Sequence, residues 1–250
     1  MFSGAFSFNG DISNWDVSNI TTMANMFNDA SIFNNEIGNW DVSNVTDMSS
    51  MFQSADAFNQ NLNSWNTSNL TKISNMFRST SSFNQNLNSW DVFKITDLRS
   101  VFNIAYVFNG DVSNWDVSNA LNMSYMFGSA EKFDGDISAW NISRVEDFEG
   151  MLESAKIFKA DLSNWDILEV SEIRNMFKYA EEFDSDISNW NISNVVDLTG
   201  VFVGAKIINQ DLSTWDITKV TELPRTFSGA SSFDYPIGDW GLLSIVQNGI

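Results

Sequence analysis

Carboxylates recur along this chain at fixed intervals, and they are the side chains best placed to do chemistry. Asp16, Asp41, Asn66, Asp91, Asp116, Asn141, Asp166, Asn191 and Asp216 each follow a tryptophan, at one constant interval. A second acidic row, Asp11, Glu36, Asp111, Asp136, Asp161, Asp186 and Asp211, lies five residues earlier. Paired carboxylates hydrolyse glycosides when one distinct pair sits in a pocket with unequal proton affinities. Here the same acids recur through most of the chain, and no repeat adds a unique acid cluster on a loop insertion, so the pattern argues against an enzyme. The chain has no His and no Cys, which excludes Ser-His-Asp and Cys-His nucleophiles, Cys/His zinc sites and disulfides. Walker-type and dinucleotide glycine motifs are absent. Rows of oxygen ligands suit Ca²⁺, but the D-x-D spacing of an EF-hand loop is missing, so the calcium signal is weak and no cofactor is expected. Carboxylates stacked about 5 Å apart repel by ~1 kcal/mol per pair in water. The reading that answers this is solvation, or hydrogen bonds from backbone and from Ser and Asn neighbours.

The elements that position these acids follow from the period. All ten tryptophans, from Trp15 to Trp240, are evenly spaced by the step that separates Trp15 from Trp40, the mark of a stacked repeat array. In the period from Glu36 to Gln60, Ile37, Trp40 and Val42 have the apolar-x-x-apolar-x-apolar spacing of a leucine-rich-repeat strand. Thr46 then fits a helix N-cap with Asp47 in the first turn. Met48, Met51, Phe52 and Ala55 follow at i, i+3, i+4 and i+7, one face of a helix, and Phe58 continues it. Phe52 recurs in every period except at Leu152, and Phe58 in every period except at Ile208. Tryptophans and phenylalanines alike are expected to be core. The fold expected is an α/β repeat solenoid: a right-handed, leucine-rich-repeat-like coil of about ten turns, with one short parallel strand and one short helix per 25-residue turn. Residues 1–250 are expected to form a single array cut from a longer chain. The last repeat is atypical from about residue 241, and Pro224 falls in a first helical turn.

The run Val45-Thr46-Asp47-Met48-Ser49-Ser50-Met51-Phe52, followed by Phe58-Asn59 and then Trp65, resembles the 25-residue repeat of BspA-like surface proteins. That family includes many mycoplasma lipoproteins and is described as leucine-rich-repeat-like. The resemblance covers the whole chain. It implies an extracellular or surface-anchored module for adhesion and recognition, with no catalytic residues to carry over. The lipobox Cys of the lipoprotein members has no counterpart here.

Charge narrows the partners. Thirteen basic and 32 acidic residues give −19, which disfavours nucleic acid and anionic membranes. Residues 1–71 contain seven acids and no base. No apolar run approaches the ~20 residues of a membrane span, and no signal peptide is visible. The function expected is non-catalytic recognition or adhesion at the cell surface, with a protein or glycan partner bound on an extended polar sheet face and specificity supplied by variable outer helix positions. The candidate contact row is Asp16, Asp41, Asn66, Asp91, Asp116, Asn141, Asp166, Asn191 and Asp216. Phe93 and Leu168, which replace the Ser three residues after Trp, are apolar exceptions beside it. The alternatives are a structural array self-associating through uncapped ends and, less favoured because of the many Asp residues, an ice-binding lattice. Sequons such as Asn19-Ile20-Thr21 carry weight only in a eukaryotic secretory source.

Overall fold

Serine, asparagine and glycine recur where a helix would want better helix formers. The position of Ser50 is taken by Asn25, Asn75, Gly150 and Gly200 in other periods. Such residues suit tight turns, and turns are what the chain forms. The structure, a computed structural model, describes residues 1–237 and Trp240. Ser50 has φ 54° and Ser54 φ 56°. Each is the third residue of a turn, closed by Met51 N–H to Met48 O (3.1 Å) and by Ala55 N–H to Phe52 O (3.0 Å). A type II turn requires positive φ at that place. Between Met48 and Leu70 six such bonds close turns over 48–51, 50–53, 52–55, 55–58, 62–65 and 67–70. One rung of the array is therefore a succession of turns.

This corrects the α/β solenoid with a strand and a helix in every repeat. Among the described residues there is no helix, and pairing is confined to isolated parallel bridges such as Thr22↔Asp47, Asp47↔Lys72 and Asp147↔Glu172. The physical reason lies in where the amides go. Met48, Ser50, Phe52 and Ser54 donate their N–H groups to Lys72, Ser74, Met76 and Arg78 of the next rung at 2.8–2.9 Å. A helix would direct those donors to its own carbonyls four residues back and leave neighbouring rungs unjoined. Thr46 is no helix cap, since its N–H donates to Thr21 O of the preceding rung at 2.8 Å. The supposed strand around Ile37 and Trp40 is likewise a turn, closed by Trp40 N–H to Ile37 O at 3.1 Å. The right-handed sense expected from strand crossovers rested on those strands and goes with them. Pro224 occupies the second position of a turn closed by Thr226 N–H to Leu223 O (3.3 Å), with Arg225 at φ 62°, a position that favours proline. The atypical repeat from about residue 241 lies outside the described residues.

The apolar periodicity builds a buried core in the interior rungs, although by turns, while Phe2, Phe8, Phe227 and Phe233 on the end rungs are only partly buried. Phe27, Phe52, Phe77, Phe102 and Phe127 are fully buried, with ring centroids 5.6 Å apart from rung to rung. Within a rung Phe52 stacks on Phe58 at 3.9 Å. Ala30, Ala55 and Ala105 are buried between the two rows, and Thr80 fits the same place by donating its hydroxyl to Phe52 O at 2.8 Å. The tryptophans from Trp40 to Trp215 are 3–4% exposed, whereas Trp15, on the first rung, is 41% exposed. From Trp40 onward each indole N–H reaches a backbone carbonyl of the preceding rung, as from Trp65 to Ile37 O at 3.1 Å and from Trp90 to Leu62 O at 3.0 Å. The donor explains why tryptophan holds this row: a buried carbonyl without a partner is costly.

Candidate functional site

The exposed acids are held by the backbone that follows them. Asp41 Oδ1 accepts the N–H of Ser43 at 3.1 Å, and the bond from residue i+2 repeats at every member of the row. Donors are Ser18 to Asp16 (3.0 Å), Ser68 to Asn66 (3.2 Å), Phe93 to Asp91 (3.1 Å), Ser118 to Asp116 (3.1 Å), Ser143 to Asn141 (3.3 Å), Leu168 to Asp166 (3.2 Å), Ser193 to Asn191 (3.1 Å) and Thr218 to Asp216 (3.0 Å). This is the Asx-turn, in which a short side-chain oxygen stands in for a backbone acceptor. The pre-tryptophan row does the same at Asp11, Asp111, Asp136, Asp161, Asp186 and Asp211. The repulsion expected of stacked carboxylates is thus offset by one backbone hydrogen bond each.

Electrostatics follow from those bonds. The Ser18 hydroxyl and N–H hold Asp16 below the ordinary carboxylate range, and the Ser43 hydroxyl and N–H do so for Asp41, against a small opposing effect of the Asp16 charge. At Asp216 the Thr218 N–H is the larger cause. Asp16, Asp41, Asn66, Asp91, Asp116, Asn141, Asp166, Asn191 and Asp216 are all exposed, one per rung along one line. Phe93 is 48% and Leu168 40% exposed. They stand two positions beyond that line, three rungs apart, with Ser118 and Ser143 between them. The structure therefore aligns the candidate residues in a row and does not gather them into a pocket. Among the described residues no group of three or more carboxylates comes together at metal-binding distance.

Two features were not anticipated. A shallow groove of about 600 Å³ is lined by Lys159, Asp161, Ser163, Glu182, Asp184, Ser185, Asp186 and Ile207. It opens where Ser185 takes the place that Gln60 and Gln85 fill in other rungs. Gln60 donates its amide to Asn34 O and Gln85 to Asn59 Oδ1, both at 2.9 Å. Lys159 Nζ, bridging to Glu182 at 2.8 Å, crosses the groove. The second feature is a line of charges of alternating sign, Glu131, Lys156, Glu181 and Lys206, with Lys156–Glu131 at 2.8 Å and Lys206–Glu181 at 2.6 Å. Its signal was present in the sequence as charge that alternates in sign from one period to the next.

A family whose description reads "Mycoplasma protein of unknown function, DUF285" matches residues 1–105, 71–182 and 157–248. The three overlapping matches make this a repeat protein. No curated protein matches. Among solved structures the chain is similar to one described as "Crystal structure of TLR13-ssRNA13 complex", at 11% identity and a TM-score of 0.28 over 82% of this chain and 38% of that one. The chain thus spans well under half of that neighbour, and a likeness at that TM-score bears on neither fold nor function.

Proposed function

The chain belongs to the mycoplasma family described as DUF285, and from that membership we propose that it is a non-catalytic recognition or adhesion module of the BspA-like kind, displayed at the cell surface. The observation that carries this reading is the row from Asp16 to Asp216: nine exposed Asx side chains, each fixed in direction by a bond from the residue two ahead. Long repeat arrays bind through extended faces of this sort. A regular polar lattice ordered before binding lowers the entropy a partner must overcome. Phe93 and Leu168 supply apolar contacts beside the row, and the partner is an extracellular protein or glycan. A non-catalytic role agrees with the sameness of the row: every member from Asp16 to Asp216 accepts the N–H two residues ahead as a turn cap.

The experiment presents the purified chain to a glycan array and to a panel of matrix glycoproteins, beside the F93S/L168S variant, which restores the residue found in other rungs. Binding that weakens at least about tenfold in the variant, with an unchanged melting temperature, supports the reading; a loss of that size corresponds to about 1.4 kcal/mol. Absence of binding to every glycan and glycoprotein presented, or binding indifferent to both substitutions, counts against it.

A further inference from the structure

The row that carries the backbone bridges changes character halfway along the chain. In the first half its members are Thr22, Asp47, Lys72, Asp97 and Asn122, so no two acids are neighbours, and Lys72 Nζ stands 3.9 Å from Asp47. The next four are all acidic: Asp147, Glu172, Asp197 and Glu222. They lie on consecutive parallel bridges, Asp147↔Glu172, Glu172↔Asp197 and Asp197↔Glu222. Parallel pairing holds equivalent residues about 4.8 Å apart, so four like charges are stacked in register.

Their partners do not cancel that charge. Asp147 accepts the N–H of Glu149 at 2.8 Å, Glu172 that of Arg174 at 3.0 Å and Asp197 that of Thr199 at 2.7 Å. The second oxygen of Asp147 takes the Asn122 amide at 2.9 Å. Arg174 is the cation facing the column, and its guanidinium is engaged by Glu149 at 2.5 and 3.1 Å. Glu149 also accepts the Tyr125 hydroxyl at 2.8 Å. Asp147, Glu172 and Asp197 are only partly exposed. Burial pushes Asp147 and Glu172 above the ordinary carboxylate range. The Glu149 charge adds to the effect at Asp147, and the Asp197 and Glu149 charges add at Glu172, while Arg174 opposes it at both.

We propose that the column Asp147–Glu172–Asp197–Glu222 is a proton-operated clasp: its rungs bear stacked like charge at neutral pH, and on acidification a protonated carboxyl donates to its neighbour and draws them together. A carboxyl whose folded value is raised binds its proton more tightly in the folded chain than in the unfolded one. Stability is therefore gained as pH falls through the folded values and lost as pH rises through them. The exposed turn caps act in the opposite sense at lower pH, so the chain is most stable in mildly acidic solution.

Glu172→Gln tests this in the full chain, because its amide keeps an oxygen for the Arg174 N–H and can donate as a protonated carboxyl would. The expected result is a melting temperature at pH 7 raised by about 2 °C or more, with a smaller gain between about pH 7 and about pH 5 than in the unaltered chain. Melting at or below that of the unaltered chain overturns the proposal. A second measurement needs no variant: carboxyl NMR titration of the unaltered chain should place Glu172 above the ordinary ~4.3 of glutamate, and a value at or below it sinks the idea. Amide exchange at Phe148 and Leu198, corrected for its intrinsic pH dependence, should slow on acidification relative to Phe52 and Phe77. An equal response at all four sites counts against the clasp.

Discussion

At the scale of the residue, the acids that suggested chemistry prove to be backbone caps. Asp16 and Asp41 are held low by the Ser18 and Ser43 bonds, so the stability they contribute is present above the unfolded value and lost as pH falls through the lower folded one. Asn66, Asn141 and Asn191 make the same bond without a charge. Replacing Asp16 and Asp41 together with Asn should lower the neutral-pH melting temperature slightly and shrink its decline between about pH 4 and about pH 2, read by calorimetry. A decline as steep as that of the unaltered chain would show that these caps do not govern the acid limb. That these acids are hydrogen-bonded was legible in the sequence, because Ser or Thr stands two residues after most of them. Which atom bonds which was not. The same holds for Tyr125 and Gly150: a Cβ on Gly150 would run into the Tyr125 ring, a pairing between rungs that only the stack brings about.

At the scale of the element, one rung shows how volume is conserved. Leu152 interrupts the phenylalanine row, and in the same rung Phe148 stands where other rungs place Met48, Leu98 or Met123. Both are fully buried, and Phe148 packs against Trp165 at 5.5 Å. Leu152→Phe alone should overpack the rung and cost about 1–3 kcal/mol. Combined with Phe148→Met it should cost less than the two single changes summed, by about 1 kcal/mol or more, as measured by denaturant unfolding. Strict additivity would mean that the two side chains do not share one space. The interrupted row was visible in the sequence, but its compensation was not, because it depends on Phe148 packing against Trp165 as Phe127 packs against Trp140 one rung earlier. The helix assignment failed at this scale for a definite reason. Apolar residues at i, i+3, i+4 and i+7 also face one side when consecutive turns with positive φ carry them, and a spacing pattern does not separate the two. Gly150, Gly200 and Gly204, with φ of 57°, 65° and 66°, were the available warning, since glycine is a poor residue for a helix interior.

At the scale of the whole molecule, each rung joins the next through backbone bonds, buried rings and indole N–H groups that recur with the period. Stability should then be close to a sum of rung and interface contributions. Deleting residues 72–96, one full period, should leave a folded chain with the same near-ultraviolet tryptophan signature and reduced stability, whereas deleting residues 72–83 should abolish that signature. Equal tolerance of both deletions would refute registry as the organising rule. Circular dichroism of the intact chain should lack the paired minima of a helical protein. The period, the buried rows and the capping Ser and Asn residues can be read straight from the chain, because stacking equivalent side chains demands the same chemistry once in every rung. The path of the backbone between those points was decided only in the tertiary structure. An amide such as that of Phe52 finds its acceptor on Met76, a full rung further along the chain, at 2.9 Å, and a local stretch of sequence contains no record of a partner that far away.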